Sequence, residues 1–216
     1  MFMRQDIARI RKDYSQKVLT EESVDPNPIV QFERWWKEAT ESEIDEVNAM
    51  TLATASADGT PSARIVLLKS FSENGFVFFT NYKSFKGQQL VENPKACLVF
   101  FWKELERQVR ITGIVQKTSE EESDEYFYSR PAGSQIGACV SPQSMVIESR
   151  DWLEREYEKF EQDNAQTAIR RPKHWGGFLV RPVIIEFWQG RLSRLHDRIE
   201  YSLQDNGQWK MSRLAP

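Results

Sequence analysis

At 216 residues, 40% apolar and 28% charged, the chain has room for one large or two small domains around a real core. A net charge of -3 and a pI near 5.6 speak against a nucleic-acid surface, and no run approaches the roughly 18 apolar residues needed to cross a bilayer. Met1 to Tyr14 lacks the apolar segment of a secretory signal, and Cys97 and Cys139 fit neither a disulfide framework nor a zinc pattern, so a cytoplasmic protein without a metal is expected.

Residues 1–25 read as a mobile charged arm with a short helix around Ile7, Ile10 and Tyr14, on which Arg11 and Tyr14 share a face. Asp25-Pro26-Asn27-Pro28 ends the arm, and 26–216 is expected to form a single domain. Pro28 opens a helix whose Ile29, Phe32, Trp35 and Trp36 recur at core-facing spacing up to Ala39. From Ala49 the period shifts to two. Ala49–Ala55, Ala63–Ser70 and Phe76–Asn81 read as strands joined by Asp58-Gly59 and Asn74-Gly75 turns. Arg64 and Lys69 bracket four apolar residues and, on one continuous strand, face opposite sides. They are either strand-end charges or ligands for two different partners.

Ser84 is a plausible N-cap for a helix from Lys86 to Glu92, and a helix start bearing Lys86 suits a phosphate, although the glycines of a nucleotide loop are missing. Strands follow at Ala96–Trp102 and Gln108–Gln116. Ser119 and three glutamates then start a helix carrying Tyr126, and Ser134 is expected to cap the next short helix, Gln135–Val140. Tyr126, Arg130 and Ser134 are all donors and would make an anion site at this junction. Asp151–Gln162 reads as an amphipathic helix and 164–172 as a polar linker. The last third reads as strands at Gly177–Arg181, Val183–Gln189, Arg198–Leu203 and Gln208–Ser212. Arg194, His196, Asp197 and Arg198 are either an ion-paired hairpin or part of a site; Arg194 and His196, two apart, are expected on one strand face. His174 is expected to be structural.

Taken in order, RIVLLK at 64–69, FFTN at 78–81, a serine and lysine at Ser84 and Lys86, LERQV at 105–109, YFYSRPAGSQIGACVSPQS at 126–144, HWGGF at 174–178, IEFWQG at 185–190, RLHDR at 194–198 and the closing RLAP carry a resemblance over nearly the whole chain. The chain resembles the pyridoxine/pyridoxamine 5'-phosphate oxidases. The resemblance implies a mainly β fold with flanking helices, a split β-barrel, forming a homodimer with FMN at the subunit interface. It implies FMN contacts at Arg64, Ile65, Val66, Leu67, Leu68, Lys69, Phe79, Thr80, Lys86, Gln108, Gln143, Ser144, Trp188 and Arg198. It implies substrate contacts at Lys69, Tyr126, Arg130, Ser134, Arg194 and His196, with Arg11 and Tyr14 as a flap. Arg194 and His196 would then act on the substrate as catalytic residues. Where the family commonly has an arginine before the lysine, this chain has Phe85, and where tyrosine is frequent it has Phe79.

The implied reaction is oxidation of pyridoxine or pyridoxamine 5'-phosphate to pyridoxal 5'-phosphate in vitamin B6 salvage, with O2 as final acceptor, giving H2O2 and, from the amine, ammonia. Two cation sets, Arg64 with Lys86 and Lys69 with Arg130, suit two phosphates. Rival readings are a split-barrel flavoprotein with another substrate and a non-enzymatic carrier of flavin, pyridoxal phosphate or haem. The implied substrate set Lys69, Tyr126, Arg130, Ser134, Arg194 and His196 argues against the first rival.

Overall fold

The computed structural model describes Tyr14 and residues 17–216. The strands are β1 Ala49–Ala55, β2 Pro61–Leu67, β3 Ser70–Ser72, β4 Gly75–Asn81, β5 Lys95–Trp102, β6 Arg107–Lys117, β7 Trp175–Gln189, β8 Asp197–Leu203 and β9 Trp209–Arg213; burial alternates along β1 and most of β6, whereas β4 is buried almost throughout. They form a nine-stranded sheet in the order β2-β1-β5-β6-β7-β4-β3, with β8 paired to β7 and β9 to β8. The helices are α1 Pro28–Thr40, α2 Phe85–Glu92, α3 Glu120–Ser129, α4 Ala132–Val140 and α5 Arg150–Asp163. This is the expected mainly β chain with flanking helices. The chain divides into two compact units: the segment up to Val47 with Val99–Ile111 and Val183–Pro216, and Asn48–Leu98 with Thr112–Pro182.

In the first unit, the Asn27 side chain accepts from the Ile29 N–H at 2.8 Å and Pro28 fills the first turn of α1, so the helix starts where the sequence placed it. Its buried face carries Phe32, which packs on Phe100 (ring centroids 5.3 Å), and Trp35, which meets Phe187 edge-on at 5.2 Å. Of the expected arm, residues 17–25 pack against this unit. Leu19 and Val24 are buried, and the Tyr201 hydroxyl donates to the Asp25 carbonyl at 2.6 Å. Arg11 lies outside the described residues.

In the second unit, β1 and β2 pair antiparallel from Ala49↔Leu67 to Ala55↔Pro61, closed by a turn in which Gly59 adopts φ +87. The expected strand Ala63–Ser70 breaks. At Leu68 the N–H turns to the Asn48 carbonyl, and at Lys69 to that of Val77. In contrast, the two strands expected around Pro182 are one. β7 pairs with β4 from Trp175 to Val180 and with β8 from Ile184 to Gln189. Pro182 falls in the gap between these registers, where its missing N–H costs no bond to either partner. Ser134 caps nothing: it lies inside α4, its N–H donating to the Pro131 carbonyl.

Candidate functional site

A cavity of about 690 Å³ opens in the second unit. That volume falls in the usual range for a small-molecule site. It is lined by Arg64, Ile65, Val66, Leu67 and Lys69 from the β2 segment, Phe79, Thr80 and Asn81 from β4, Lys86 from α2, Tyr126, Arg130 and Pro131 at the α3–α4 junction, Ser134, Gly137 and Ala138 from α4, Ser141 and Gln143 beyond it, and Trp175 at the start of β7. Four of these side chains are cations and none is a carboxylate. Because the strand breaks after Leu67, Arg64 and Lys69 face the same cavity, contrary to the opposite faces expected of one unbroken strand.

Arg64 is held by its surroundings. Nη1 donates to the Thr54 hydroxyl at 2.6 Å and the Leu52 carbonyl at 3.3 Å, and Nη2 to the Ser62 hydroxyl at 2.7 Å. Lys86 stands in the first turn of α2, whose N-cap is Ser84, its Oγ accepting from the Gly87 N–H. Gly87 is required there, since a Cβ would overlap the Tyr82 carbonyl oxygen. Burial first, then the neighbouring Arg64 charge, pulls the Lys86 pKa down, and burial does the same to Arg64. An anion beside both would relieve that cost, and the positive end of α2 adds to the attraction. Lys86 Nζ also reaches the Thr80 hydroxyl at 3.4 Å, which donates to Gln143 Oε1 at 3.0 Å.

At the other cation pair, Phe79, Tyr126 and Trp175 form a stack, with Phe79 to Tyr126 at 4.1 Å and Phe79 to Trp175 at 5.6 Å. Lys69 Nζ lies 5.7 Å over the Tyr126 ring, and the Arg130 guanidinium 4.6 Å over Trp175. Arg130 Nη1 is buried without a hydrogen-bond partner, and burial lowers its pKa. A buried charged donor with no acceptor fits an anionic ligand group. Arg171 braces this wall: it donates to Asp124 at 2.5 Å, to Glu120 and to the Trp175 carbonyl at 2.7 Å, tying the start of α3 to the start of β7.

Of the other expected flavin contacts in this unit, Leu68 is buried outside the cavity lining and Ser144 stands on an exposed turn with φ 73. The His174 carbonyl accepts from the Tyr82 N–H, and its ring reaches the Ala138 carbonyl through Nε2 at 3.4 Å, a structural placement. Sequence reasoning missed Trp175 as a cavity wall. Its signal was available in the HWGGF run.

The remaining candidates lie in the first unit. Gln108 is half-buried on β6. Trp188 and Arg198 are cross-strand partners on β7 and β8. Arg198 grips the buried Glu186 through two bonds, 2.9 and 3.1 Å, and donates to the Ala215 carbonyl at 2.7 Å. Arg194 and His196 do not share a strand face. Arg194 ends a 3-10 turn in which Ser193 and Arg194 both have left-handed φ (55 and 61), and His196 precedes β8. Left-handed backbone at two successive non-glycine residues is strained. His196 Nδ1 accepts from the Arg191 N–H at 3.1 Å, so a neutral ring carries its proton on Nε2. Its ring packs on Trp188 at 4.6 Å and Tyr14 at 5.9 Å. Burial, then Arg194, lowers its pKa against the pull of Asp197. Asp197 is an ion-pair partner for Arg191 and Arg213, the first of the two readings its sequence neighbourhood allowed.

The family profile of pyridoxamine 5'-phosphate oxidase matches residues 36–163, and that of the pyridoxine 5'-phosphate oxidase C-terminal dimerisation region matches 175–216. The chain is 57% identical over 214 residues to a pyridoxine/pyridoxamine 5'-phosphate oxidase of Nostoc sp., covering 99% of this chain and 100% of that one. A protein of the same name from Paraburkholderia phymatum is 56% identical, covering 97% and 99%. Among solved structures, PhzG from Burkholderia lata, in complex with tetrahydrophenazine-1-carboxylic acid, superposes with a TM-score of 0.86 at 29% identity, covering 92% and 98%. Together these bear out the split β-barrel fold class.

Proposed function

The chain belongs to the pyridoxamine 5'-phosphate oxidase family, and from that membership we propose that it oxidises pyridoxine or pyridoxamine 5'-phosphate to pyridoxal 5'-phosphate in vitamin B6 metabolism, with FMN as cofactor. The single observation that carries the reading is the cavity with two cation pairs and no carboxylate, one of whose arginines keeps a buried donor without a partner. Two phosphate-bearing ligands fit two such pairs. Arg64 and Lys86 would hold the FMN phosphate, with Thr80 and Gln143 beside them. Lys69, Tyr126, Arg130 and Ser134 would hold the substrate phosphate.

FMN held there would supply the acceptor for a hydride leaving C4', with O2 as final acceptor giving H2O2; from the amine, water would then release ammonia. The chain's own residues bind and orient. Fixing both phosphates leaves the reacting ends little freedom, which lowers the entropic part of the barrier. Arg194 and His196 are assigned to C4' of the substrate, where His196 can donate from Nε2 while its Nδ1 stays bonded to the Arg191 N–H. Tyr14 packs edge-on to Trp188 at 5.8 Å and to His196 at 5.9 Å. We read the assembly as a homodimer with FMN at the interface. The match to a C-terminal dimerisation region supports this, because that region contains Trp188, Arg194, His196 and Arg198.

The test is spectroscopic. Protein reconstituted with FMN should lose its yellow absorbance on anaerobic addition of pyridoxine 5'-phosphate and regain it when air is admitted. A flavin spectrum unmoved by both phosphorylated substrates would overturn the reading.

A further inference from the structure

We propose that Gln89 is a positioning residue that aims Arg64 at its anion. The proposal rests on the reading that Arg64 and Lys86 receive the FMN phosphate. A guanidinium only donates, so the Thr54 and Ser62 hydroxyl oxygens that meet Arg64 at 2.6 and 2.7 Å must accept from it. Each hydroxyl then has one proton of its own to place. Both protons go to one atom: Thr54 Oγ1 and Ser62 Oγ donate to Gln89 Oε1 at 2.6 and 2.7 Å. Thr54 and Ser62 are direct cross-strand partners on β1 and β2, so they present their oxygens side by side.

This arrangement also fixes the amide. With the hydroxyls accepting from Arg64, the carbonyl end of Gln89 is the end that gives both hydroxyl protons an acceptor, and Nε2 is left buried without a partner. Gln89 is 2% exposed. A helix surface does not ordinarily bury an amide with an orphaned N–H, and its compensation here is the ordering of two hydroxyls under one arginine. Gln89 follows Lys86 by three residues, on the same side of α2. One helix therefore carries one phosphate cation and orients the other. Without the carbonyl, the hydroxyl protons have only each other's oxygens at 3.3 Å to turn to, which competes with Arg64 for those oxygens, and its fork loses its fixed direction.

The experiment titrates the apoprotein with FMN and with riboflavin, which lacks the phosphate, following flavin fluorescence. Wild type should prefer FMN. Gln89→Met should reduce that preference by about tenfold, the scale of one weakened charged hydrogen bond, with riboflavin affinity unchanged. In an Arg64→Ala background the same substitution should reduce it no further. Gln89→Leu serves if the methionine variant does not fold. An unchanged preference, equal loss of both affinities, or an undiminished effect without Arg64 would each overturn the positioning role. A wild-type protein indifferent to the phosphate would instead overturn the phosphate reading, and the proposal with it.

Discussion

Arg130→Met should move stability and substrate affinity in opposite directions. In the free protein the guanidinium gains a cation–π contact with Trp175 at 4.6 Å, worth about 0.5–2 kcal/mol. Against that stands a buried Nη1 with no acceptor, a cost of about 1–3 kcal/mol. Methionine keeps the contact with the ring and removes the orphan donor. The apoprotein should therefore be unchanged or more stable by up to about 1 kcal/mol, a Tm gain of at most about 2–4 °C for a chain of this size. On the proposed role of Arg130, the substrate phosphate would meanwhile lose a charged hydrogen bond worth about 1.5–3 kcal/mol, raising KM by about 10–150-fold. Because this contact holds substrate and transition state alike, kcat should change little. Thermal unfolding of the apoprotein and steady-state kinetics on pyridoxine 5'-phosphate read the two effects separately. A drop in Tm with an unchanged KM would refute the reasoning and make Arg130 a structural cation.

Three further outcomes follow from the geometry. Arg198→Ala strands the Glu186 carboxylate, whose side chain is 2% exposed, with only Arg110 at 3.5 Å. It should cost about 3 kcal/mol, whereas Glu186→Gln should cost about half as much because Arg198 reaches water; equal losses in urea unfolding would refute this asymmetry. Phe85→Arg adds a cation at the first turn of α2, where the present side chain is 54% exposed. It should tighten FMN binding by about tenfold at little cost in Tm, and an unchanged affinity would show that this position does not reach the phosphate. His196 has its pKa lowered from 6.5 by burial, so below that value the unfolded chain binds the proton first and stability falls as pH falls through the window beneath it. In His196→Gln that part of the pH dependence should vanish, measured by urea unfolding between about pH 5 and 7.

What was legible in the sequence was what depends on neighbours along the chain. β1 begins and ends where the alternation of Ala49–Ala55 places it, and α1 starts at its Asn27 cap and Pro28. Where a strand changes partner, local pattern misled. Pro182 reads as a break, yet β7 runs through it, because the ladder it would interrupt hands over at that point. The turn at Ser193 and Arg194 is equally hidden, since neither residue is a glycine and nothing local announces left-handed backbone. Gln89 looks like an ordinary helix-surface amide until the fold closes β1 and β2 over it.

The site itself shows why its chemistry needs the tertiary structure. Arg64 and Lys69 share one segment, but Lys86 and Arg130 lie far along the chain, and each alone is a common surface cation. Gathered on one cavity without a carboxylate, they repel one another, and burial lowers the pKa of three of them, Arg64, Lys86 and Arg130. Elsewhere the chain pairs its buried charges: Arg107 with Glu38, Arg171 with Asp124 and Glu120, and Arg198 with Glu186. The fold supplies counter-charges to these arginines and withholds them from the cavity, which leaves an unfavourable electrostatic state there. An anion bound there would recover that cost, which is the physical argument for the phosphate sites proposed above.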